Sequence, residues 1–352
     1  MTIRVSSNAE IKAVSETAKI SQAARALEAG QLVVFPTETV YGLGADAQNP
    51  QAIALVYAVK GRPVNHPLIV HVAKDIDLGH WASAVPREAI QLIEVFWPGP
   101  LTLILKRAPA IHSAVSGGLD TIGLRSPSHP VAQALLRAFR DGKGGIAAPS
   151  ANLFGRISPT RPEHVFDEFG PDSRIAAVLD GGQSEVGIES TILDVSRIDT
   201  HGPVLLRPGK VTAADIAAVT GIKPAPADDE APRVSGTLLS HYAPRSAVAL
   251  AAAQRIAPAL SVLKQKNMRV ALISHSPLPD LPQDNIVARI PMPVSAEGYS
   301  YSLYASLRTA DEAGADVILV ELPPEGSSWD GVNDRLRRAA QNTTGLFDRW
   351  FD

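Results

Sequence analysis

The residues able to do chemistry gather in six short polar segments, most of them at the ends of apolar runs. The first is Pro36-Thr37-Glu38-Thr39-Val40-Tyr41-Gly42-Leu43-Gly44, which directly follows the strand-like run GQLVVFPT. Hydroxyls at a strand end, with glycines that let backbone approach closely, suit contact with a ligand, although a capped turn uses the same residue types. The second is Lys60-Gly61-Arg62-Pro63, followed by Pro67-Leu68-Ile69-Val70-His71. Cations at a helix C-terminus complement its dipole, and Lys and Arg flanking a glycine can also clamp a phosphate, Arg by bidentate bonding. His71 sits in a β-rich run, where a lone histidine is more often a satisfied core residue than a ligand. The third segment is Gly118-Leu119-Asp120-Thr121-Ile122-Gly123-Leu124-Arg125-Ser126-Pro127. Arg125 ends an apolar strand, so its charge needs either an anionic ligand such as a carboxylate or an internal Asp or Glu. The fourth is Ala147-Ala148-Pro149-Ser150-Ala151-Asn152, with Ser158-Pro159-Thr160 beyond it. It lacks the Gly-x-Ser-x-Gly elbow, so Ser150 is expected to donate hydrogen bonds rather than attack a substrate. Asp180-Gly181-Gly182 with Gly187-Ile188-Glu189-Ser190-Thr191, and Leu206-Arg207-Pro208-Gly209, complete the set.

Together the segments supply backbone donors, hydroxyls and the cations Lys60, Arg62, Arg125 and Arg207, but no nucleophile–base pair and no cluster of metal-ligating side chains. That inventory suits an anionic nucleotide and a small polar substrate, with catalysis by positioning and electrostatic stabilisation. There is no Walker A pattern and no Rossmann glycine fingerprint, and Gly142-Lys143-Gly144-Gly145 does not make one.

The elements that position these residues alternate between strand-like and helix-like. PLIVHV, LTLILKR, TIGLRSP, GGIAAPSAN, AAVLDGG, STILDVS and PVLLRPG read as strands. PQAIALVYAVK and HPVAQALLRAFR read as helices, the latter with Val131, Leu135 and Phe139 on one face. The expected result is an α/β domain over residues 1–221, closed by the helix VTAADIAAVTG, with helices packed on a mixed sheet. Residues 222–245 are rich in Pro, Ala and polar side chains and read as a linker, longer than most loops. The pair His241-Tyr242 stands out there, either as part of a lid over the first domain's cavity or as an anchor on the second domain. Residues 246–352 again alternate strand and helix, which predicts a smaller, three-layer, largely parallel Rossmann-like unit.

Composition narrows the classes. The chain has 352 residues, 45% hydrophobic and 20% charged, which is a globular makeup that exceeds one ordinary core. With 0 cysteines it has no disulfide, zinc–thiolate or iron–sulfur option and no thiol nucleophile. A net charge of −3 offers no global field for nucleic acid, so any RNA contact would be weak and local. The opening MTIRVSSNAEIKAVSET has no signal-peptide core, and no apolar run is long enough to span a bilayer, so a cytoplasmic protein is expected.

The ordered set PTETVYGLG, KGRP…PLIVHV, WPGPLT, GLDTIGLRSPSHP, AAPSAN, SPT, GIESTI and LLRPG closely resembles the YrdC-like family of threonylcarbamoyl-AMP synthases, from about Ala23 to Thr220. SHYAP in the linker and VNDRLRRAA near the C-terminus resemble that family's long, two-domain form. The resemblance implies a twisted sheet around a deep concave cavity. It implies the condensation of L-threonine, bicarbonate and ATP, with Mg²⁺ accompanying ATP, into threonylcarbamoyl-AMP and pyrophosphate. A partner transferase would then pass the threonylcarbamoyl group to tRNA. Carried over by motif, Thr39, His71, Arg125, Ser190 and the Ala148 backbone would contact threonine. Lys60, Arg62, His66, Thr121, Ser150, Ser158, Arg207 and His241 would contact the nucleotide, with Asn152 supporting either group. The chain departs from the family's R-P-x-[DS]-N-P-L pattern at His66, which replaces the usual Asn. Two other readings compete. A carbamoyl-adenylate-forming enzyme of the hydrogenase-maturation type would carry cysteine-rich zinc motifs, which are absent. A non-catalytic RNA-binding module fits poorly with the net charge.

Overall fold

The computed structural model describes residues 16–341 apart from 173, 237–240, 279–280 and 282–283. Most of the N-terminal stretch read for a signal sequence, and part of the linker, therefore lie outside the described residues. The chain runs α1 (Glu16–Glu28), β1 (Leu32–Phe35), β2 (Gly42–Asp46), α2 (Pro50–Lys60), β3 (Ile69–Val72), α3 (Arg87–Phe96), β4 (Leu101–Lys106), β5 (Thr121–Arg125), α4 (Pro130–Ala138) and β6 (Gly145–Ala147). It continues through α5 (Pro162–Phe169), β7 (Ile175–Val178), β8 (Thr191–Asp194), α6 (Ile198–His201), β9 (Val204–Arg207), α7 (Ala213–Thr220) and β10 (Ala225–Pro226).

These strands form one sheet in the order β10-β9-β8-β4-β5-β3-β6-β2-β1-β7. Parallel pairs such as β3/β5 and β4/β8 sit beside antiparallel ones such as β1/β2 and β4/β5, so the sheet is mixed, as expected. The apolar run of β1 is buried at every position because the sheet is covered on both faces. On one face Ile20 and Leu27 of α1 meet Val131, Leu135 and Leu136 of α4. The other face holds a larger cluster with Trp81, Leu103 and Leu124. The segment from Pro36 to Gly44, read as a strand-end turn, is a turn only as far as Tyr41; Gly42 already begins β2. A Cβ at Gly44 would fall 2.8 Å from both Ile146 Cγ2 and Phe35 Cε1, so the crowding of β2 between its neighbours requires glycine there.

Local signals set the position of the Lys60–Arg62 pair. The Asn49 side chain caps α2 by accepting from the Gln51 and Ala52 amides, with Pro50 in the first turn. Gly61, left-handed at φ 61°, stops the helix and turns the chain between the two cations.

The second unit holds β11 (Ala247–Ala251), α8 (Ala253–Gln265), β12 (Val270–Ser274), β13 (Ile286–Pro291), α9 (Ala296–Glu312), β14 (Val317–Glu321) and α10 (Asp330–Ala340). Its sheet is wholly parallel, in the order β11-β14-β12-β13. Ile256, Leu260 and Leu263 of α8 cover one face. Helices α9 and α10 cover the other with Leu303, Leu307 and Leu336, completing three layers. That same cluster contains Val40, Ile157, Val186 and Ile188 from the first unit, so the two domains share a continuous apolar interface. Among the described residues no helix is long and apolar enough to cross a membrane.

Candidate active site

The turn after β1, strands β3 and β5, the loop after β6, the residues before β8 and the end of β9 converge on one cavity. Ser235, Gly236, His241 and Tyr242 of the linker form its remaining wall.

One end is built from hydroxyls, a histidine and an ion pair. Thr37 Oγ1 donates to the Val40 carbonyl at 2.6 Å and accepts from the Thr39 and Val40 amides, which fixes the turn and sets the Thr37 and Thr39 hydroxyls 2.9 Å apart. Strands β3 and β5 pair with His71 opposite Arg125. Burial, and then the Arg125 charge, pushes the His71 imidazole down to about 3, so it is neutral at physiological pH. Its buried Nδ1 has no hydrogen-bond partner among the described residues. Arg125 Nη2 lies 2.6 Å from Glu38 Oε1, and both side chains are buried. Glu38 Oε2 also accepts from the Ser128 amide at 3.0 Å. The internal carboxylate that a buried Arg125 could require is thus present, and Arg125 still lines the cavity. Ser190 Oγ is held 2.8 Å from Thr102 Oγ1.

The other end is cationic. Lys60 Nζ donates to the carbonyls of Ser150, at 2.6 Å, and Asn152. Burial, with the Arg62 charge beside it, holds this ammonium well below the ordinary lysine value. Arg62 Nη2 donates to the Pro67 carbonyl and to Ser235 Oγ, each at 3.0 Å, and burial brings its guanidinium down to about 10. Arg207 donates from Nε and Nη2 to the Ser190 carbonyl, at 3.0 and 2.9 Å, and from Nη1 to the Ser235 carbonyl at 2.9 Å. Among the described residues none of these three cations has a carboxylate partner, whereas Arg125 and Arg335 do. Three buried cations whose hydrogen bonds all go to neutral acceptors are short of negative charge, and a polyanion would supply it.

Of the residues expected at the site, Thr39, His71, Arg125, Ala148 and Ser190 line the cavity, as do Arg62, Ser150, Arg207 and His241. Lys60, Asn152 and Ser158 stand one hydrogen bond behind the wall. The Asn152 amide donates to the Ser150 carbonyl at 3.0 Å, and Ser158 Oγ donates to Glu189 Oε1 at 2.5 Å. His66 and Thr121 are not brought to the cavity. The His66 ring packs edge-on against Phe154, centroids 5.5 Å apart, and Thr121 pairs with Lys106 at the start of β5. Sequence reasoning left Glu38 and Glu189 unassigned although both lie inside singled-out motifs. Ser235 and Gly236 carried no signal, because the linker around them has no periodicity. Tyr304 and Arg335, which reach Glu189 from the second domain, lie far from it in sequence.

His241 is buried, its imidazole pushed down to about 3 first by that burial, with its ring centroid 5.9 Å from Phe154. Tyr242 takes a left-handed φ of 61°, costly for a bulky side chain, and packs into the interdomain cluster. It is the anchor on the second domain that one reading expected, and it also lines the cavity. With the linker in place the free volume is about 50 Å³, well below the roughly 300–1,000 Å³ of small-molecule sites.

Residues 25–209 match the family model described as "Telomere recombination", and residues 211–341 match "Threonylcarbamoyl-AMP synthase, C-terminal domain". The chain is 39% identical to the threonylcarbamoyl-AMP synthase of Bacillus subtilis, covering 92% of this chain and 93% of that one. It is 36% identical to the enzyme of the same name from Pyrococcus abyssi, covering 92% and 94%. The crystal structure of P. abyssi Sua5 complexed with L-threonine superposes with a TM-score of 0.82 at 34% identity, covering 93% and 95%.

Proposed function

The chain belongs to the YrdC-like family of threonylcarbamoyl-AMP synthases, in its long two-domain Sua5 form, and from that premise we infer how its own residues carry the reaction. It is an L-threonylcarbamoyladenylate synthase: L-threonine, bicarbonate and ATP give threonylcarbamoyl-AMP and pyrophosphate. The observation that carries this assignment is the divided cavity, with hydroxyls, a neutral imidazole and Arg125 at one end and three cations without carboxylates at the other.

Arg125 receives the threonine carboxylate, with Thr39, His71 and Ser190 around the rest of the amino acid. Lys60, Arg62 and Arg207 take the triphosphate. The threonine amine attacks the bicarbonate carbon and one bicarbonate oxygen leaves as water, giving a carbamate; a carbamate oxygen then attacks the α-phosphorus, and the bond to the bridging oxygen breaks as pyrophosphate leaves. The buried imidazoles are poor bases near pH 7, being held at about 3, so catalysis rests on alignment and charge stabilisation. The one carboxylate on the wall, Glu189, and Glu38 behind Arg125 are both engaged by arginines. No group of three or more metal-ligating side chains occurs among the described residues. That donor set fits Mg²⁺ carried by the phosphates of ATP, where it would neutralise the departing pyrophosphate.

Tyr242 and His241 close the site over the reacting groups and exclude water from the labile adenylate. The product's use by a transferase acting on tRNA favours a cytoplasmic location. The test is to incubate the protein with ATP, bicarbonate and labelled threonine and detect products by mass. Threonylcarbamoyl-AMP and pyrophosphate in equal amounts are expected. ATP consumption that does not depend on threonine would overturn the assignment.

A further inference from the structure

Glu189 lines the cavity from the catalytic domain, yet the second domain supplies most of its partners. Its Oε2 accepts from Tyr304 Oη and from Arg335 Nε, each at 2.8 Å, while Oε1 accepts from Ser158 Oγ at 2.5 Å. The Arg335 side chain is 0% exposed. Its Nη2 donates to the Glu189 carbonyl at 3.1 Å and its Nη1 to the Pro208 carbonyl at 2.9 Å and to Asp334 Oδ2 at 2.8 Å, a carboxylate that Arg338 also pairs with and so would not be left alone by loss of Arg335. One guanidinium of α10 therefore ties together the loop before Ser190 and the loop after Arg207.

Arg207 lies near the same carboxylate. Its charge is among those that keep Glu189 ionised, yet its nitrogens donate to Ser190 and Ser235. An unpaired carboxylate here would act against the nucleotide in two ways, repelling the phosphates and competing with them for Arg207.

We propose that Arg335 is a positioning residue that neutralises Glu189 from the second domain and so keeps Arg207 available to the phosphates of ATP. The C-terminal domain is then an electrostatic part of the nucleotide site and more than an appendage. The inference rests on Arg207 being a phosphate ligand, as read above. Other contacts of α10 would support docking alone, but the Arg335–Glu189 pair makes a distinct demand, because removing one charge strands the other beside the substrate.

The test compares full-length wild type, Arg335→Met, Arg335→Lys and the double variant Glu189→Gln/Arg335→Met, measuring KM for ATP and for threonine and the thermal midpoint of each. Arg335→Met is expected to raise the ATP KM at least about tenfold, and the threonine KM by less than about threefold. Restoring neutrality with Glu189→Gln should bring the ATP KM back to within about threefold of wild type, whatever the thermal midpoint does. Arg335→Lys keeps the charge and loses the fork, so its ATP KM should stay near wild type even if its midpoint falls. The lysine variant keeps the comparison available should Arg335→Met fail to fold. Equal rises in both KM values, no rescue by the double variant, or a lysine variant as impaired as the methionine one would each overturn the proposal. A wild type that makes no threonylcarbamoyl-AMP would instead sink the functional assignment itself.

Discussion

At the scale of residues the site is organised by which buried charges have partners. Arg125 has one in Glu38 at 2.6 Å, so under the proposed reading the threonine carboxylate would join an existing ion pair. Arg125→Ala should raise the threonine requirement far more than the ATP requirement, by a loss of about 2–5 kcal/mol. The truncation also strands Glu38 in a buried place, so the comparison belongs in a Glu38→Gln background, and equal losses for both substrates would contradict the role. Lys60 predicts a pH dependence. Its ammonium is held well below the ordinary lysine value by burial and Arg62, and a bound triphosphate favours the charged form and lifts it again. Binding then takes up a proton, so the ATP KM should be lowest at pH below the empty-site value and rise as pH climbs through it. Lys60→Arg should flatten that profile; a flat profile in wild type would speak against the linkage. The sequence shows most of these residues, because polar groups at strand ends are conspicuous against apolar runs. It leaves the Arg125–Glu38 choice open, since 87 positions separate two residues that only the sheet brings together.

At the scale of elements the linker matters most. Ser235 engages both Arg62 and Arg207, so a nucleotide that used these two cations would have to displace it. His241→Ala should raise the amount of pyrophosphate formed per threonylcarbamoyl-AMP recovered, because an uncovered adenylate meets water; a ratio unchanged from wild type would mean the linker is only a tether. Tyr242 needs different handling. Its ring is fully buried in the interdomain cluster while its hydroxyl has no hydrogen-bond partner among the described residues. Tyr242→Phe should therefore leave the thermal midpoint unchanged or slightly raised, whereas Tyr242→Ala should lower it by the equivalent of about 3–5 kcal/mol. The regular elements are legible from periodicity and from stop signals such as Gly61 and Gly221. Strand β2 is not, because GLGAD has neither alternation nor β-branched residues and is a strand only through its neighbours. Helix α3, by contrast, carries helical periodicity in Ala89, Leu92, Ile93 and Phe96, all packed on the core.

At the scale of the whole molecule, the two domains are joined by a shared apolar cluster and the Glu189–Arg335 pair. Burial alone would raise the Glu189 carboxyl, but Arg335, Arg207 and the Ser158 hydrogen bond hold it down at about 2. A depressed folded-state value stabilises the native form above the unfolded value of about 4.3, and that contribution disappears as pH falls from there through about 2. Glu189→Gln should flatten the acid limb of stability over that window; an unchanged limb would show that the pair contributes nothing to docking. The most direct measurement of the reaction itself follows oxygen. With ¹⁸O-bicarbonate, freshly mixed with threonine and ATP, attack of the carbamate on the α-phosphorus predicts label in the oxygen bridging carbon to phosphorus in threonylcarbamoyl-AMP. The pyrophosphate should be unlabelled, and no adduct should form on the protein. Labelled inorganic phosphate with ADP, or an adenylylated side chain, would contradict the account.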